Sequence, residues 1–348
     1  MEKILVILSN NNFSGGEKVA IEVAKALKNK FEFIFFIPKI PKESLLRKIE
    51  NFKFYYAKKS IIFEALKVID NENIKLIHSH GIRAGFWGKI IKILKPKIKH
   101  IYTIHGIHYL HRKFPLNKIM HLCETISNKF LVEKIVCVGK DDFEFLKKYS
   151  NKIILIQNGI EVENFIENTM KNEKITLLTI SRLHYQKDIT TLIKSISLIR
   201  ELDIVLYIIG DGPEREKLEN MTKELKLEDK VVFLGFIENA ENYIKNCDIF
   251  ILSSRWEGLP LVILEAWKHK KPVLASNVVG IRSLISNYED GILFELGNSV
   301  ELSKKIVELV YNQNLRKSLG ENGYKKLLKE YSLELMVSKY EKVYQELL

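Results

Sequence analysis

The chain has 348 residues, 46% of them hydrophobic, which is enough for two domains of ordinary size, each with its own core. No apolar run approaches the roughly 18–20 residues that span a bilayer. Three cysteines without CxxC spacing (Cys123, Cys137, Cys247) imply neither a disulfide framework nor a zinc knuckle, so a cytoplasmic protein is expected.

In chain order, ILVILS (4–9) reads as a first strand and is followed by the helical EKVAIEVAKALKN. FEFIFFI (31–37), IKLIHSH (74–80), IKHIYTIH (98–105), KIVCVG (134–139) and KIILIQ (152–157) continue the series. A second set comprises KITLLTIS (174–181), DIVLYIIG (203–210), KVVFLGF (230–236), DIFILSS (248–254), PVLAS (272–276) and GILFE (291–295). Continuous apolar strands separated by helix-length segments mark parallel sheets covered on both faces, so two doubly wound α/β domains are expected. The break is expected in QNGIEVENF (157–165), where Asn-Gly marks a turn. That gives domains at 1–160 and 161–330, and a C-terminal helix at 331–348 packing back toward the first domain. The charge divides at the same place. Residues 1–160 carry 29 Lys and Arg against 14 Asp and Glu, and the remainder 26 against 29. The first half is therefore expected to meet nucleic acid, an anionic membrane surface or a phosphorylated substrate.

In open α/β sheets ligands sit beyond the carboxyl ends of the strands, so chemistry is sought just after each one. After the first strand, Gly15 and Gly16 precede a helix, where bare backbone and free amides can approach a phosphate; a flexible connection is the alternative. In SRLHYQKD, Arg182 and Lys187 stand at a strand end, just before a helix that Asp188 is expected to cap. A guanidinium and an ammonium there can hold a diphosphate. In SSRWEGLPLVILEAW, Pro260 is expected as the first helical residue, Glu257 in the loop and Glu265 on the second turn. Free amides at the helix start would attract an anion. Glu257 is then better suited to neutral hydroxyls, and Glu265 to a diol such as a ribose. Ion pairing of each acid with a nearby Lys or Arg is the alternative.

These pieces together resemble retaining glycosyltransferases of family 4, the GT-B architecture of two facing Rossmann-like domains. The resemblance runs in order through Gly15-Gly16-Glu17, TIHG (103–106), QNGI (157–160), SRL…QKD (181–188), GDGPEREKLE (210–219), LGF (234–236) and the E-x7-E pair Glu257…Glu265. It implies a donor site in the interdomain cleft, with Arg182 and Lys187 on the nucleotide diphosphate and Glu257 on the donor sugar. Glu265 would take the ribose, with Gly258, Leu259 and Pro260 lining the donor. Gly15 and Gly16 would lie against the phosphates and His105 near the reacting centre. It also implies no metal and no protein nucleophile. The donor would be a nucleotide sugar, UDP favoured over GDP, and the acceptor a saccharide, expected to be lipid-linked. Where the family often has EGFG this chain has EGLP, which removes an amide. Its usual GG-x-P-E is here Val279-Gly280-Ile281-Arg282-Ser283.

His78 and His80 share a strand face and His100, His105, His108 and His111 follow, but no carboxylate or cysteine stands at ligand spacing. FKFYYAKKSIIF (52–63) and HYLHRKFPLNKIMH (108–121) mix lysine with aromatics, which suits anionic lipid at the inner face of the cell membrane. Helices with aromatics turned inward are the alternative. A nucleic-acid-binding protein would also explain the basic half, yet no nucleic-acid-binding signature is present. A nucleotide-sugar epimerase and a silent GT-B scaffold complete the competing readings.

Overall fold

The computed structural model describes residues 1–111, 113–162 and 174–348. Arg112 and residues 163–165 of the QNGIEVENF segment lie outside the described residues, as do the side chains of His108 and His111. The chain forms two compact units, Met1–Gly159 with Leu333–Leu348, and Ile160–Ser332.

The first unit contains β1 (Glu2–Leu8), α1 (Gly15–Leu27), β2 (Phe31–Ile37), α2 (Glu43–Ile49), β3 (Lys53–Tyr56) and α3 (Ile61–Glu72). It continues with β4 (Leu76–His80), α4 (Ile82–Leu94), β5 (Lys99–Ile104), α5 (Leu116–Leu131), β6 (Lys134–Cys137), α6 (Lys140–Leu146) and β7 (Ile153–Leu155). All strands pair in parallel in the order β3-β2-β1-β4-β5-β6-β7. Central strands need apolar residues on both faces, and β1 and β2 supply them: Ile4 to Leu8 and Phe33 to Ile37 are all buried.

The second unit runs β8 (Ile175–Ile180), α7 (Ile189–Ser197), β9 (Ile204–Ile209), α8 (Arg215–Glu224), β10 (Val231–Gly235) and α9 (Glu241–Asn246). Then come β11 (Ile249–Leu252), α10 (Leu261–Lys268), β12 (Val273–Ser276), β13 (Ile292–Phe294), α11 (Ser299–Tyr311) and α12 (Gln313–Glu330). Its parallel sheet has the order β10-β9-β8-β11-β12-β13, the same winding as the first. Both units are thus doubly wound Rossmann-like α/β folds. The last helix, α13 (Leu333–Leu347), belongs to the first unit and packs on α1. There Tyr344 meets Phe31 and Phe33 edge-on, at centroid distances of 5.5 and 5.9 Å.

One strand is absent from the sequence reading. β3 falls inside FKFYYAKKSIIF, read there as a lysine–aromatic surface. It is a four-residue edge strand with no continuous apolar run, and Lys53 and Tyr55 turn to the buried Glu72. With Lys3 they form one network, in which hydrogen bonds first from Lys53, then from Tyr55 and Lys3, hold Glu72 down at about 2.

Candidate active site

Strand order reverses between β8 and β11 in the second unit, and such a switch point is where a doubly wound sheet opens a crevice for a ligand. SRLHYQKD and SSRWEGLP leave those two strands there. Arg182 is exposed and, among the described residues, pairs with no carboxylate. Lys187 ends a single 3-10 turn, with Nζ 2.5 Å from Glu257 Oε1. Ser254 Oγ donates to the same oxygen at 2.6 Å. Only 19% of the lysine and 10% of the glutamate side chain is exposed, so water screens this pair weakly.

The two loops are stitched together. Ser253 Oγ donates to Lys187 O at 2.8 Å, and Gln186 Nε2 to Trp256 O at 2.9 Å. The Arg255 guanidinium lies 4.3 Å over the Tyr185 ring and donates to Asp188 Oδ1 at 2.8 Å. Asp188 does not cap α7 through its side chain. It has φ +47°, and its other oxygen accepts from Thr191 Oγ1 at 2.9 Å, so its carboxylate joins the loops instead. A third loop backs Glu257, whose amide donates to Val279 O at 3.1 Å. Gly280 there has φ +82°, and a Cβ on it would stand 2.2 Å from Glu257 O, so this glycine is required where the neighbouring residues of the family pattern have changed.

Pro260 precedes α10 rather than opening it. Its ψ of 109° is extended, and the helix begins at Leu261, one residue later than expected. Gly258, Leu259 and Pro260 are buried, and Glu265 is half-buried on the second turn. The helix is anchored by Trp267, fully buried, with Nε1 donating to Asp290 O at 3.0 Å. Gly323 of α12 lies against that ring, where a Cβ would be 2.2 Å from Trp267 Cδ1.

In the first unit the order reverses between β1 and β4. Gly15, exposed, opens α1, and Glu17 is buried, taking hydrogen bonds from Ser14 Oγ and Asn10 Nδ2 that close the SNNNFSGGE loop. Gly16 faces the ring of His105: a Cβ there would be 3.1 Å from His105 Cδ2. His105 follows β5, and its Nε2 lies 3.1 Å from Nδ1 of His80 at the end of β4. His78 has both ring nitrogens taken by hydroxyls, Tyr344 OH and Thr103 Oγ1, each at 2.8 Å. That leaves neither nitrogen a metal ligand, and among the described residues no three His, Cys, Asp or Glu side chains form a ligand set.

Thus Lys187 meets Glu257, and Gly16 meets His105, while Arg182 and Glu265 stand on the segments that follow β8 and β11. Sequence reasoning weighed His80 only as a metal-ligand candidate beside His78, and it missed Ser254 and Arg255. The HSH alternation and the SSR run before Glu257 were the available signals, but neither reveals a partner.

Two family models match the chain: Glycosyl transferases group 1 over residues 161–326 and Glycosyltransferase Family 4 over residues 13–164. The chain is 32% identical over 80% of its length, and 78% of the other chain, to an uncharacterized glycosyltransferase of Methanocaldococcus jannaschii. It is 26% identical over 89% of its length, and 83% of the relative, to an Escherichia coli UDP-Gal:alpha-D-GlcNAc-diphosphoundecaprenol alpha-1,3-galactosyltransferase. Among solved structures it is similar to Anabaena HepE in complex with UDP-glucose, with a TM-score of 0.88 at 17% identity, covering 99% of this chain and 100% of that one.

Proposed function

This chain belongs to the group 1 glycosyl transferases of family 4, with the GT-B fold, and we propose that it moves a hexose-type sugar from a nucleoside diphosphate to a saccharide acceptor with retention of anomeric configuration. A UDP-sugar is the favoured donor. Support comes from the E. coli relative, named for UDP-Gal, and from HepE, which held UDP-glucose. A lipid-linked acceptor is supported by that same relative and by a Campylobacter jejuni one, both named for diphospho-undecaprenol substrates. Surface polysaccharide synthesis is supported by an E. coli relative named for O-antigen biosynthesis.

The observation that carries the reading is the switch point of the second unit, where the loops that follow β8 and β11 are bonded to each other and Arg182 stands exposed on the first of them. A diphosphate would take Arg182 and Lys187, with the first-turn amides of α10 adding positive potential. Glu257, held by Ser254, would face the sugar hydroxyls, and Glu265 the ribose. Gly15 and Gly16 would lie against the phosphates, and His105 beside the donor sugar. In the reaction the C1–O bond to the diphosphate breaks and a bond from C1 to the acceptor oxygen forms on the same face. The acceptor proton passes to the leaving phosphate oxygen, so no protein nucleophile is required. The charge that develops on the diphosphate is met by Arg182, Lys187 and the amides, without a metal.

We also propose that the first unit lies against anionic lipid at the inner face of the cell membrane, through α5. Leu116, Ile119, Leu122, Ile126 and Phe130 recur at three- and four-residue spacing on one face of α5 and are all exposed, Ile119 by 54% and Phe130 by 70%. Lys118 and Lys129 flank that face.

Thermal unfolding with UDP, GDP, ADP and their sugar conjugates, with and without EDTA, tests the donor reading. A nucleotide at about 100 times its Kd should add roughly 2.7 kcal/mol. Stabilisation by UDP in EDTA is expected, and no stabilisation by any of them would contradict it.

A further inference from the structure

Behind His105 a chain of polar side chains runs inward through the first unit. His80 is buried and lies between His105 and His78, with ring centroids 5.4 and 4.1 Å away. His78 cannot turn, because Tyr344 and Thr103 hold its two nitrogens. Thr103 Oγ1 is in turn 3.2 Å from Tyr340 OH, so both tyrosines of α13 reach this point from the far end of the chain. The His80 backbone is fixed as well: Ser9 Oγ donates to its carbonyl at 2.6 Å. On the other side Gly16, without a side chain, gives the His105 ring its place.

We propose that His80 is the positioning residue of His105: the bond between the two rings holds His105 in one tautomer and one orientation, with α13 as its outer support. The inference rests on the proposed place of His105 beside the donor sugar. Burial, then the neighbouring rings, push His78 down to about 3 and His80 well below the ordinary histidine value, so both are neutral near neutral pH. A neutral imidazole has one donor and one acceptor. In the 3.1 Å contact one ring must donate and the other accept, so choosing the state of His80 chooses that of His105. His80 packs on a His78 held by Tyr344 and Thr103, and its backbone is held by Ser9, so the orientation of the pair is rigid, as a site that must place a donor sugar within tenths of an ångström needs.

Isotope-labelled histidine in the full chain reads the ring nitrogens directly. Wild-type protein should show His105 in one tautomer. His80→Phe keeps a flat ring but no hydrogen bond, and should show the two nitrogens of His105 averaged between forms. The same variant should lose roughly tenfold to a hundredfold in kcat, with KM for the donor changed less than about threefold. His80→Asn, whose amide can take the place of Nδ1, should recover most of the loss. Tyr344→Phe removes one hydroxyl at the outer end and should lower kcat several-fold. An unchanged His105 tautomer or an unchanged kcat in His80→Phe overturns the inference. If that variant fails to fold, a mixed His105 tautomer in wild type, or an unaltered kcat in Tyr344→Phe, overturns it equally. His105→Ala separates the two readings: full activity there would remove His105 from the reaction, whereas the tautomer measurement stands or falls on His80 alone.

Discussion

His78 and His100 are held where a positive charge would have no water, and stability should respond to pH accordingly. Burial is the main cause in each, followed by charge on His100 and His105 for His78. For His100 the Leu131 carbonyl, 3.0 Å from Nδ1, pulls the other way without prevailing. Their folded values are about 3 and about 4, against the ordinary value of 6.5. Depressed histidines contribute stability that is present above 6.5 and is lost as pH falls toward 4 and then 3, at up to about 1.4 kcal/mol per pH unit each. Asp142 works in the opposite sense. Burial, then Asp141, raises it to about 7, so its contribution is present at low pH and lost as pH rises to 7. Urea midpoints between pH 6.5 and 4 should therefore fall less steeply in His100→Asn than in wild type, and parallel slopes would contradict the assignment. The sequence showed that His78 and His80 share a strand face. It did not show that Tyr344, 266 residues away, would occupy His78, because nothing in the local pattern of α13 distinguishes a tyrosine that packs from one that also bonds.

Helix α5 reverses the usual arrangement. Asn128 is its buried residue, and Glu124, half-buried, pairs with Lys89 of α4 at 2.8 Å, while its large apolar side chains face outward. An apolar stripe on a lone helix face, flanked by lysines, suits the boundary between headgroups and acyl chains. The chain should cosediment with phosphatidylglycerol vesicles more than with phosphatidylcholine ones, and Ile119→Glu with Ile126→Glu should abolish the difference. A double variant that keeps the wild-type preference for phosphatidylglycerol vesicles would contradict the role of α5. Of the two lysine–aromatic segments in the sequence, the first became β3 and the start of α3, with Ile61 and Ile62 packed on the core. The second contains the start of α5. Composition could not separate them, since only the sheet edge and Glu72 decide which aromatic is covered. Conversely, α10 was legible: Pro260, the apolar run and Glu265 placed it to within one residue, because a proline near a helix start has a local cause.

Two units wound in the same strand order explain why so much of the fold could be read. A parallel strand buried on both faces announces itself as a continuous apolar run, and the reversal of order then points to the ends of β8 and β11. A C-terminal helix over 331–348 turned toward the first domain was among the expectations, but its partners Phe31 and Phe33, at the other end of the sequence, could not be named from the local pattern of α13. Within the second unit the pairing of Lys187 with Glu257 was open in the sequence, where a ligand role and an ion pair stood as alternatives. The structure has the ion pair, and the proposed function holds that a diphosphate takes the lysine over. Removing Lys187 would then remove a charge-assisted bond worth about 1.5–3 kcal/mol to the anion, whereas neutralising Glu257 would remove only a competitor for that lysine. Calorimetric titration of UDP into wild type, Lys187→Ala and Glu257→Gln measures this directly. The account predicts affinity reduced roughly tenfold or more in Lys187→Ala, unchanged or tighter in Glu257→Gln, and turnover lost in the latter; equal UDP affinity in Lys187→Ala, or its loss in Glu257→Gln, would contradict it.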